Sequence, residues 1–383
     1  RRPSVRAAPY DKKSGATKTK GKNSGELVRL KGASDFRYRV VCATLAGKPL
    51  VISDIRSDSQ MPGVNEAEAS FLQLVDLISS GSSISINETG TKLRYTPGSI
   101  IGGYELHHDC PPSRGIGYYI EPLILLALFS KKTTDITFTG TTDSPKDLSI
   151  DIIRNITVGL ARHFGVDEKI SVQMIARGVP PKGGGKVRVT IPFVKSALKP
   201  LQLLDAGKIK RFRGVSYVCR CSPQFANRMV SAARSILNKF IPDVYIHTDH
   251  CKGKSGGLSS GFGISLSAET INGVQLGSQV VPDGPLLPED LGRKCAKLLV
   301  DEIAQRGCVD SNHQAFMTVL MALTPEDVSR LRIGKLSKPA ISVLRLVRDF
   351  FGVTFMIKAD RSNKTVLLSC VGAGYQNFSR KRC

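Results

Sequence analysis

The sequence is short of acidic residues and lacks a long apolar run. Of its 383 residues, 55 are Lys or Arg and 32 are Asp or Glu, so the net charge is +23 at pH 7. The longest apolar stretch, PLILLALF at 122–129, falls well below the ~18 residues of a membrane-spanning helix and indicates a buried helix. The charge excess indicates a polyanionic partner, and nucleic acid is the first candidate. The alternative is a basic tail that only raises solubility.

The sequence also lacks the cysteine spacing of a disulfide framework. Its nine cysteines are scattered, which indicates a reducing compartment. Cys219 and Cys221 precede HTDHC (247–251), and together these could suggest zinc. Structural zinc sites usually show CxxC-like spacing, however, and strand alternation puts both cysteines on one face. We therefore expect core cysteines and no metal.

The basic charge is spread over a tail and a folded part. Arg1–Lys31 is rich in Lys, Arg, Gly and Ser, and its acids are Asp11 and Glu26. Such a composition predicts a basic disordered arm over 1–28 that follows a phosphate backbone. The arm does not hold the whole charge excess, so the folded part must be basic as well.

Strand-like and helical patterns alternate along the chain. Alternation predicts extended structure over 39–56, broken at 47–49, and a hairpin over 83–97. Amphipathic helices and further strands follow, which indicates an α+β fold. The helices are expected at 66–79, near 121–130, and at 147–164, 289–306 and 338–351 (capped by Ser337); the strands are expected at 135–140, 170–176, 186–193 and 353–358.

The segment 199–285 has the pattern of a separate small domain. It contains the strand GVSYVCRC, a helix at 223–239 and the strand DVYIHTD. Its GKS at 253–255 resembles part of a Walker loop, but Thr248 stands where that motif needs a glycine, and no helix follows. We do not expect a nucleotide loop there.

Two prolines and three glycines make RGVPPKGGGKV (177–187) unusual. The stretch lies between two predicted strands, so it lacks the helix N-terminus that commonly binds phosphate. A glycine-rich hairpin can still offer backbone N–H groups to an anion beside Arg177 and Lys182. A tight connection and an anion-binding loop remain equal alternatives.

This stretch also resembles the signature of the RNA 3′-terminal phosphate cyclase family, Arg-Gly-x-x-Pro-x-Gly-Gly-Gly-x-aliphatic. The similarity extends over most of the chain from about residue 29, including 44–63, 95–103 and 138–151. It implies a large domain of repeated units, each with a four-stranded sheet and two helices, and a small α/β insert. The implied division is 1–28 (arm), 29–198 (large domain, first part), 199–285 (insert) and 286–383 (large domain, second part).

Two departures from the family pattern argue against cyclase activity. The glycine-rich Gly-Gly-Gly-Gln-x-x-Arg stretch of cyclases aligns with KGASDFR (31–37), which keeps Arg37 but has Ser34 at the glutamine position. The histidine that accepts the adenylyl group aligns at about Pro339, and KLSKPAIS (335–342) contains no histidine. Without a nucleophile the covalent intermediate cannot form. We expect no cofactor.

The resemblance is therefore to the ribosome-assembly branch of the family. It implies a non-catalytic factor of the small-subunit processome in the nucleolus, which binds pre-ribosomal RNA among small nucleolar RNPs and a GTPase subunit, and no membrane. The expected anion contacts are the retained signature residues Arg177, Gly178, Pro181, Lys182, Gly183, Gly184 and Gly185. The expected RNA or partner contacts are Arg37, Arg56, Arg114, Arg345 and Arg348.

Two enzymatic alternatives stay open from the sequence. One is a pre-rRNA endonuclease, for which Asp143, Asp147 and Asp151 are the candidate metal-binding carboxylates. Their spacing of four more simply predicts a solvated helix face. The other is an ATP-dependent RNA 3′-phosphate cyclase.

Overall fold

The computed structural model describes residues 26–166, 170–195 and 197–377. The expected arm falls almost wholly on residues 1–25, outside this range. In the described part of the chain, no helix is both long and apolar enough to cross a membrane.

The large domain begins with a β-α-β-α-β-β unit. Its sheet has the order β1-β2-β5-β4, with β1 and β2 parallel and the other neighbours antiparallel. The Asn65 side chain and Glu68 form a capping box that fixes the start of α2. The elements are β1 (Val28–Lys31), α1 (Phe36–Ala46), β2 (Leu50–Ser53), α2 (Glu66–Ile78), β3 (Ser79–Ser80), β4 (Ser83–Ile86), β5 (Leu93–Thr96) and β6 (Ser99–Ile100), which pairs with β3.

The second unit repeats this order. Its sheet runs β7-β8-β10-β9, with the same pattern of one parallel and two antiparallel pairings. The elements are β7 (Gly103–Asp109), α3 (Gly117–Ala127), β8 (Thr134–Gly140), α4 (Ile150–Ile152), a π-helical turn (Ile153–Thr157), α5 (Val158–Arg162), β9 (Ser171–Ala176) and β10 (Gly185–Ile191).

The third unit is interrupted after its first strand. β11 (Gln202–Leu203) pairs in parallel with β16, although over a hundred residues separate them. The sheet order β11-β16-β18-β17 again matches the first unit. Its later elements are α8 (Gln314–Ala322), β16 (Val328–Ile333), α9 (Lys338–Phe351), β17 (Met356–Asp360) and β18 (Thr365–Val371).

The interruption forms a fourth sheet of different order, β13-β12-β14-β15. Two helices, α6 and α7, pack on each other, and α7 packs on β14 and β15. The insert therefore runs from β12 through α7, whereas the sequence suggested 199–285, because β11 belongs to the third sheet and α7 to the insert. The elements are β12 (Ile209–Cys219), α6 (Gln224–Leu237), β13 (Val244–Cys251), a 3₁₀ turn (Gly253–Gly256), β14 (Gly261–Thr270), β15 (Gln275–Val280) and α7 (Pro288–Ala304).

The predicted α+β architecture of repeated units with an insert is confirmed. The extended structure predicted from residue 39 is wrong, because Phe36–Ala46 is helical. Almost every residue of α1 is buried, including Val40, Val41 and Cys42. A helix buried on all sides has no polar face, so it shows no helical periodicity in its sequence.

Candidate functional site

A cavity of about 890 Å³ opens where the three large-domain units meet the insert. Arg37 of the first unit and Tyr118 of the second form one wall. The insert contributes Val280 and the segment that follows it, and the third unit contributes Ser311 and Pro339. The position expected for the family's nucleophile and the retained Arg37 therefore line the same cavity.

Arg37 is held in this wall by an irregularity in α3. Pro122 lies inside that helix and has no N–H to donate to the carbonyl oxygen of Tyr118, one turn earlier. The Arg37 Nη1 donates to that oxygen at 2.7 Å and to the Glu121 carboxylate at 3.2 Å. Burial lowers and Glu121 raises the pKa of Arg37, and the net shift is upward. Arg37 is thus a fixed, charge-compensated part of the wall.

The ring of Tyr118 is enclosed by two guanidinium groups. Arg37 lies 4.3 Å and Arg114 lies 4.2 Å from its ring centroid. The Nε of Arg114 donates to both oxygens of Asp147, at 3.0 and 2.9 Å. Burial raises the pKa of Tyr118 to about 12. Because Glu121 and Asp147 neutralise the two arginines, this wall carries no net charge.

Pro339 occupies the first turn of α9, at the cavity rim. Among the described residues that line the cavity, none is histidine. His313 is adjacent in sequence to the lining residue Asn312, but its ring is fully buried. Its Nδ1 lies 2.7 Å from Asp310 and its Nε2 lies 2.8 Å from Thr157. With both ring nitrogens engaged, His313 offers no nucleophile to the cavity.

The signature loop lies elsewhere, between the second sheet and the insert. The Arg177 side chain is only 2% exposed. It donates to Asp143 at 2.9 Å and to Asp151 at 2.8 Å, and it pairs with Asp249 of the insert at 3.1 Å. Its guanidinium also stacks over Tyr217 at 4.2 Å. Protein carboxylates thus engage all three guanidinium nitrogens of Arg177, and its anion contact stays a prediction.

The glycines of the loop allow three backbone segments to approach closely. A Cβ on Gly178 would lie 2.2 Å from the Gly185 nitrogen, and one on Gly185 would lie 2.6 Å from the Gly178 nitrogen. Gly183 and Gly184 have φ angles of 63° and 80°, which favour glycine. Gly183 is buried against Gly140, whereas Gly184 is exposed beside Leu258.

The same loop holds the insert in place through backbone groups. The Arg177 N–H donates to the Ser255 carbonyl at 2.9 Å, and the Leu258 N–H donates to the Gly183 carbonyl at 3.0 Å. The Lys182 N–H donates to the Ser259 hydroxyl at 3.0 Å. The Lys182 side chain and Pro181 are exposed. Of the expected anion-binding residues, Lys182 alone offers a side-chain cation to solvent.

The three candidate metal-binding aspartates are buried and already paired. Asp143 and Asp151 bind Arg177, and Asp147 binds Arg114. The predicted solvated helix face is wrong, because α4 begins only at Ile150 and arginines from distant positions enclose the carboxylates. Over the described residues, no group of three metal-ligating side chains occurs.

The other predicted contacts divide into half-buried and exposed positions. Arg56 donates to Glu68 and to the Gly63 carbonyl, both at 2.8 Å, and so supports the start of α2. Arg345 and Arg348 lie on the exposed face of α9. Arg37, Arg56 and Arg114 are therefore paired within the fold, while Arg345 and Arg348 are exposed. Their contacts with RNA or a partner stay a prediction.

The cysteines behave as core residues. Cys219 and Cys251 are buried neighbours on the parallel strands β12 and β13, and Cys221 is half-buried.

Sequence analysis missed Tyr118, Glu121 and Asp249, which complete the two arginine clusters. The proline inside the apolar run at 122–129 was the available signal for the free Tyr118 carbonyl.

Comparisons with known proteins agree with this architecture. A family model described as RNA 3'-terminal phosphate cyclase matches residues 28–357. A Mus musculus protein named RNA 3'-terminal phosphate cyclase-like protein is 47% identical over 361 residues, covering 91% of this chain and 96% of its own. A probable protein of the same name from Dictyostelium discoideum is 44% identical over 369 residues, covering 92% and 99%. An rRNA processing protein of Schizosaccharomyces pombe is 39% identical over 362 residues, covering 94% and 99%.

Proposed function

Because the chain belongs to the RNA 3'-terminal phosphate cyclase family, we propose that it acts in pre-rRNA processing as a non-catalytic factor of small-subunit assembly. The name of the Schizosaccharomyces pombe relative, an rRNA processing protein, supports this role. The net charge of +23 supports direct binding to pre-ribosomal RNA. In this proposal the protein works in the nucleolus, within the small-subunit processome.

The observation that carries the proposal is Pro339 at the rim of the cavity. A cyclase of this family would form a covalent bond from a histidine nitrogen to the adenylyl phosphorus. Proline in a peptide chain has no nucleophilic atom, and His313 is buried with both ring nitrogens engaged. The cavity retains Arg37, and no histidine is among the described residues that line it.

The endonuclease alternative has less support from the site. A metal-dependent nuclease needs carboxylates that are free to bind a cation. Asp143, Asp147 and Asp151 are instead paired with Arg177 and Arg114. Recruiting them would require the arginines to leave carboxylates that are almost fully buried.

A labelling experiment tests the non-catalytic role. The purified chain is incubated with radiolabelled ATP and Mg²⁺, with an active cyclase of the family as positive control. We expect no covalent label on this protein and strong label on the control. A stable adenylyl group on this chain would contradict the proposal.

The proposed partner is the processome GTPase subunit, which binds a protein surface of the folded domain. The exposed Arg345 and Arg348 on α9 are candidates for this surface. We expect the association to survive RNase treatment and to weaken when both arginines are replaced by Glu. Loss of the association with RNase would show that RNA bridges the two proteins.

A further inference from the structure

The three large-domain sheets share one strand order, so the charges on their solvent-facing sides can be compared position by position. In the first sheet, Leu50, Ile52 and Leu93 face the core. The alternate residues of each strand therefore face outward. We call this side the first-sheet outer face, formed by the outward residues of β1, β2, β4 and β5.

Cations dominate the first-sheet outer face. Cross-strand register aligns Arg29 with Val51, Val51 with Arg94, and Arg94 with Ser85. Lys31 lies beside this row, opposite Ser53. Arg29, Lys31 and Arg94 are exposed. Across the described residues, the side chains of Arg29 and Arg94 have no carboxylate partner, and Lys31 has one exposed partner, Asp54, at 3.6 Å.

The remaining outward positions on this face suit a phosphate backbone. They carry the hydroxyl groups of Ser53, Ser83, Ser85 and Thr96, and no outward strand position is acidic. Hydroxyl groups and guanidinium groups are the usual donors to phosphate oxygens. No aromatic ring lies on the face, so it offers no stacking platform for bases.

The other two sheets differ at the same positions. In the second sheet, Arg188 donates to Asp135 at 3.0 Å, and Asp109 is also outward, so the cations are largely neutralised. In the third sheet, Arg332 pairs with Asp360, whereas Arg330 and Lys358 are exposed and have no carboxylate partner among the described residues. Apolar residues lie on this same outer face. Among these are Met356 (70% exposed) and Val371 (53% exposed). The first sheet thus differs from the third in surrounding its exposed cations mainly with hydroxyl groups instead of exposed apolar side chains.

We propose that the first-sheet outer face binds the RNA phosphate backbone without reading base sequence. The inference rests on the proposed RNA-binding role and assigns it to a surface away from the cavity. The residues that precede β1 in the chain, 1–25, are rich in Lys and Arg, with Asp11 as their only acid.

Charge reversal with a matched control tests the assignment. Two double variants of the full chain are compared. The test variant carries Arg29→Glu and Arg94→Glu on the first sheet, and the control variant carries Arg330→Glu and Lys358→Glu on the third sheet. Both pairs are exposed outward positions and change the net charge equally. Binding of a fluorescein-labelled RNA hairpin is measured from 50 to 300 mM KCl, and thermal unfolding checks that both variants are folded.

We expect the first-sheet pair to lower RNA affinity by about tenfold or more and to reduce the salt slope by about 1.5, because two phosphate contacts are lost. The third-sheet pair should change RNA affinity by less than about threefold, because it alters only the long-range electrostatic potential of the protein. Equal losses in the two variants would overturn the assignment while leaving RNA binding intact.

Two further outcomes separate the inference from the proposed function. If the unmodified protein binds no RNA at 50 mM KCl, the proposed RNA-binding role fails. If polyglutamate binds as tightly as RNA and loses affinity in the same variant, the face is a site for acidic protein, and the assignment to RNA is wrong.

Discussion

Replacing Arg177 should destabilise the protein strongly, because it would leave carboxylates buried without their cation. The Arg177→Met side chain keeps much of the apolar volume but loses contacts with Asp143, Asp151 and Asp249. Asp143 and Asp151 are at most 1% exposed, so water cannot replace the guanidinium. Breaking a buried ion pair at one partner costs about 3–5 kcal/mol of unfolding free energy. We expect a loss in that range.

The loss should depend on pH with a predictable sign. Burial raises the pKa of Asp143, and the Arg177 charge opposes this rise. Without Arg177 the pKa of Asp143 climbs further above its unfolded value of about 4. A raised folded pKa favours the folded state at low pH and disfavours it as pH rises through that value. The difference in unfolding free energy between the Arg177→Met variant and the unmodified protein should therefore become smaller as pH falls from 8 towards 5.

Urea unfolding followed by far-UV circular dichroism measures this effect, since the chain has no Trp. Arg293→Met is the control, because Arg293 pairs with Asp290 and both side chains are 51% exposed. The control should remain near the unmodified stability. Adding Asp143→Asn should recover part of the Arg177→Met loss. The buried network does not hold the loop if Arg177→Met lowers the unfolding free energy no more than Arg293→Met does, or if the loss is independent of pH.

Three further predictions concern the loop, helix α9 and the N-terminus. Gly178→Ala should cost about 1–3 kcal/mol in urea unfolding, because its Cβ would meet the Gly185 nitrogen at 2.2 Å; unmodified stability would contradict this close approach. Ser337→Ala should lower the unfolding free energy by about 1 kcal/mol, because the Ser337 hydroxyl caps α9, and Ser337→Gly should lower it less. Equal melting temperatures for the unmodified protein and both variants would show that this cap does not stabilise the helix. Removing residues 1–25 should weaken RNA binding without changing the melting temperature. Removing residues 1–28 should also lower the melting temperature, because Val28 pairs with Leu50. Identical melting temperatures for the two truncated proteins would contradict a stabilising role of this pairing.

Local signals in the sequence predicted some elements closely. Helix α9 occupies the predicted range, Lys338–Phe351, because Ser337 caps it, a proline lies in its first turn and one face is apolar. The hairpin of β4 and β5 was likewise visible from its alternation and its turn. Helix α1 was not, because burial on all sides removes the periodicity that identifies a helix.

The contacts of the candidate site could not be predicted from the sequence, because its paired residues lie far apart along the chain. The pairs of Arg177 with Asp143 and of Arg114 with Asp147 join residues more than thirty positions apart. A spacing of four between aspartates suggests a helix face only if all three lie in one helix, and α4 starts at Ile150. The two-residue strand β11 is also invisible locally, because its pairing with β16 spans the whole insert.

The packing role of the signature loop does not depend on the residue at position 339. Arg177 and the glycine hairpin fix the insert through Asp249, Ser255 and Leu258. The insert in turn supplies Val280 and the segment after it to the cavity wall. The loop therefore shapes the cavity from a distance, whether or not a nucleophile stands at position 339. Gly178 and Gly185 pack closely against the backbone whichever residue stands at position 339. The signature is thus evidence for the architecture of this family, while activity must be judged from the cavity itself.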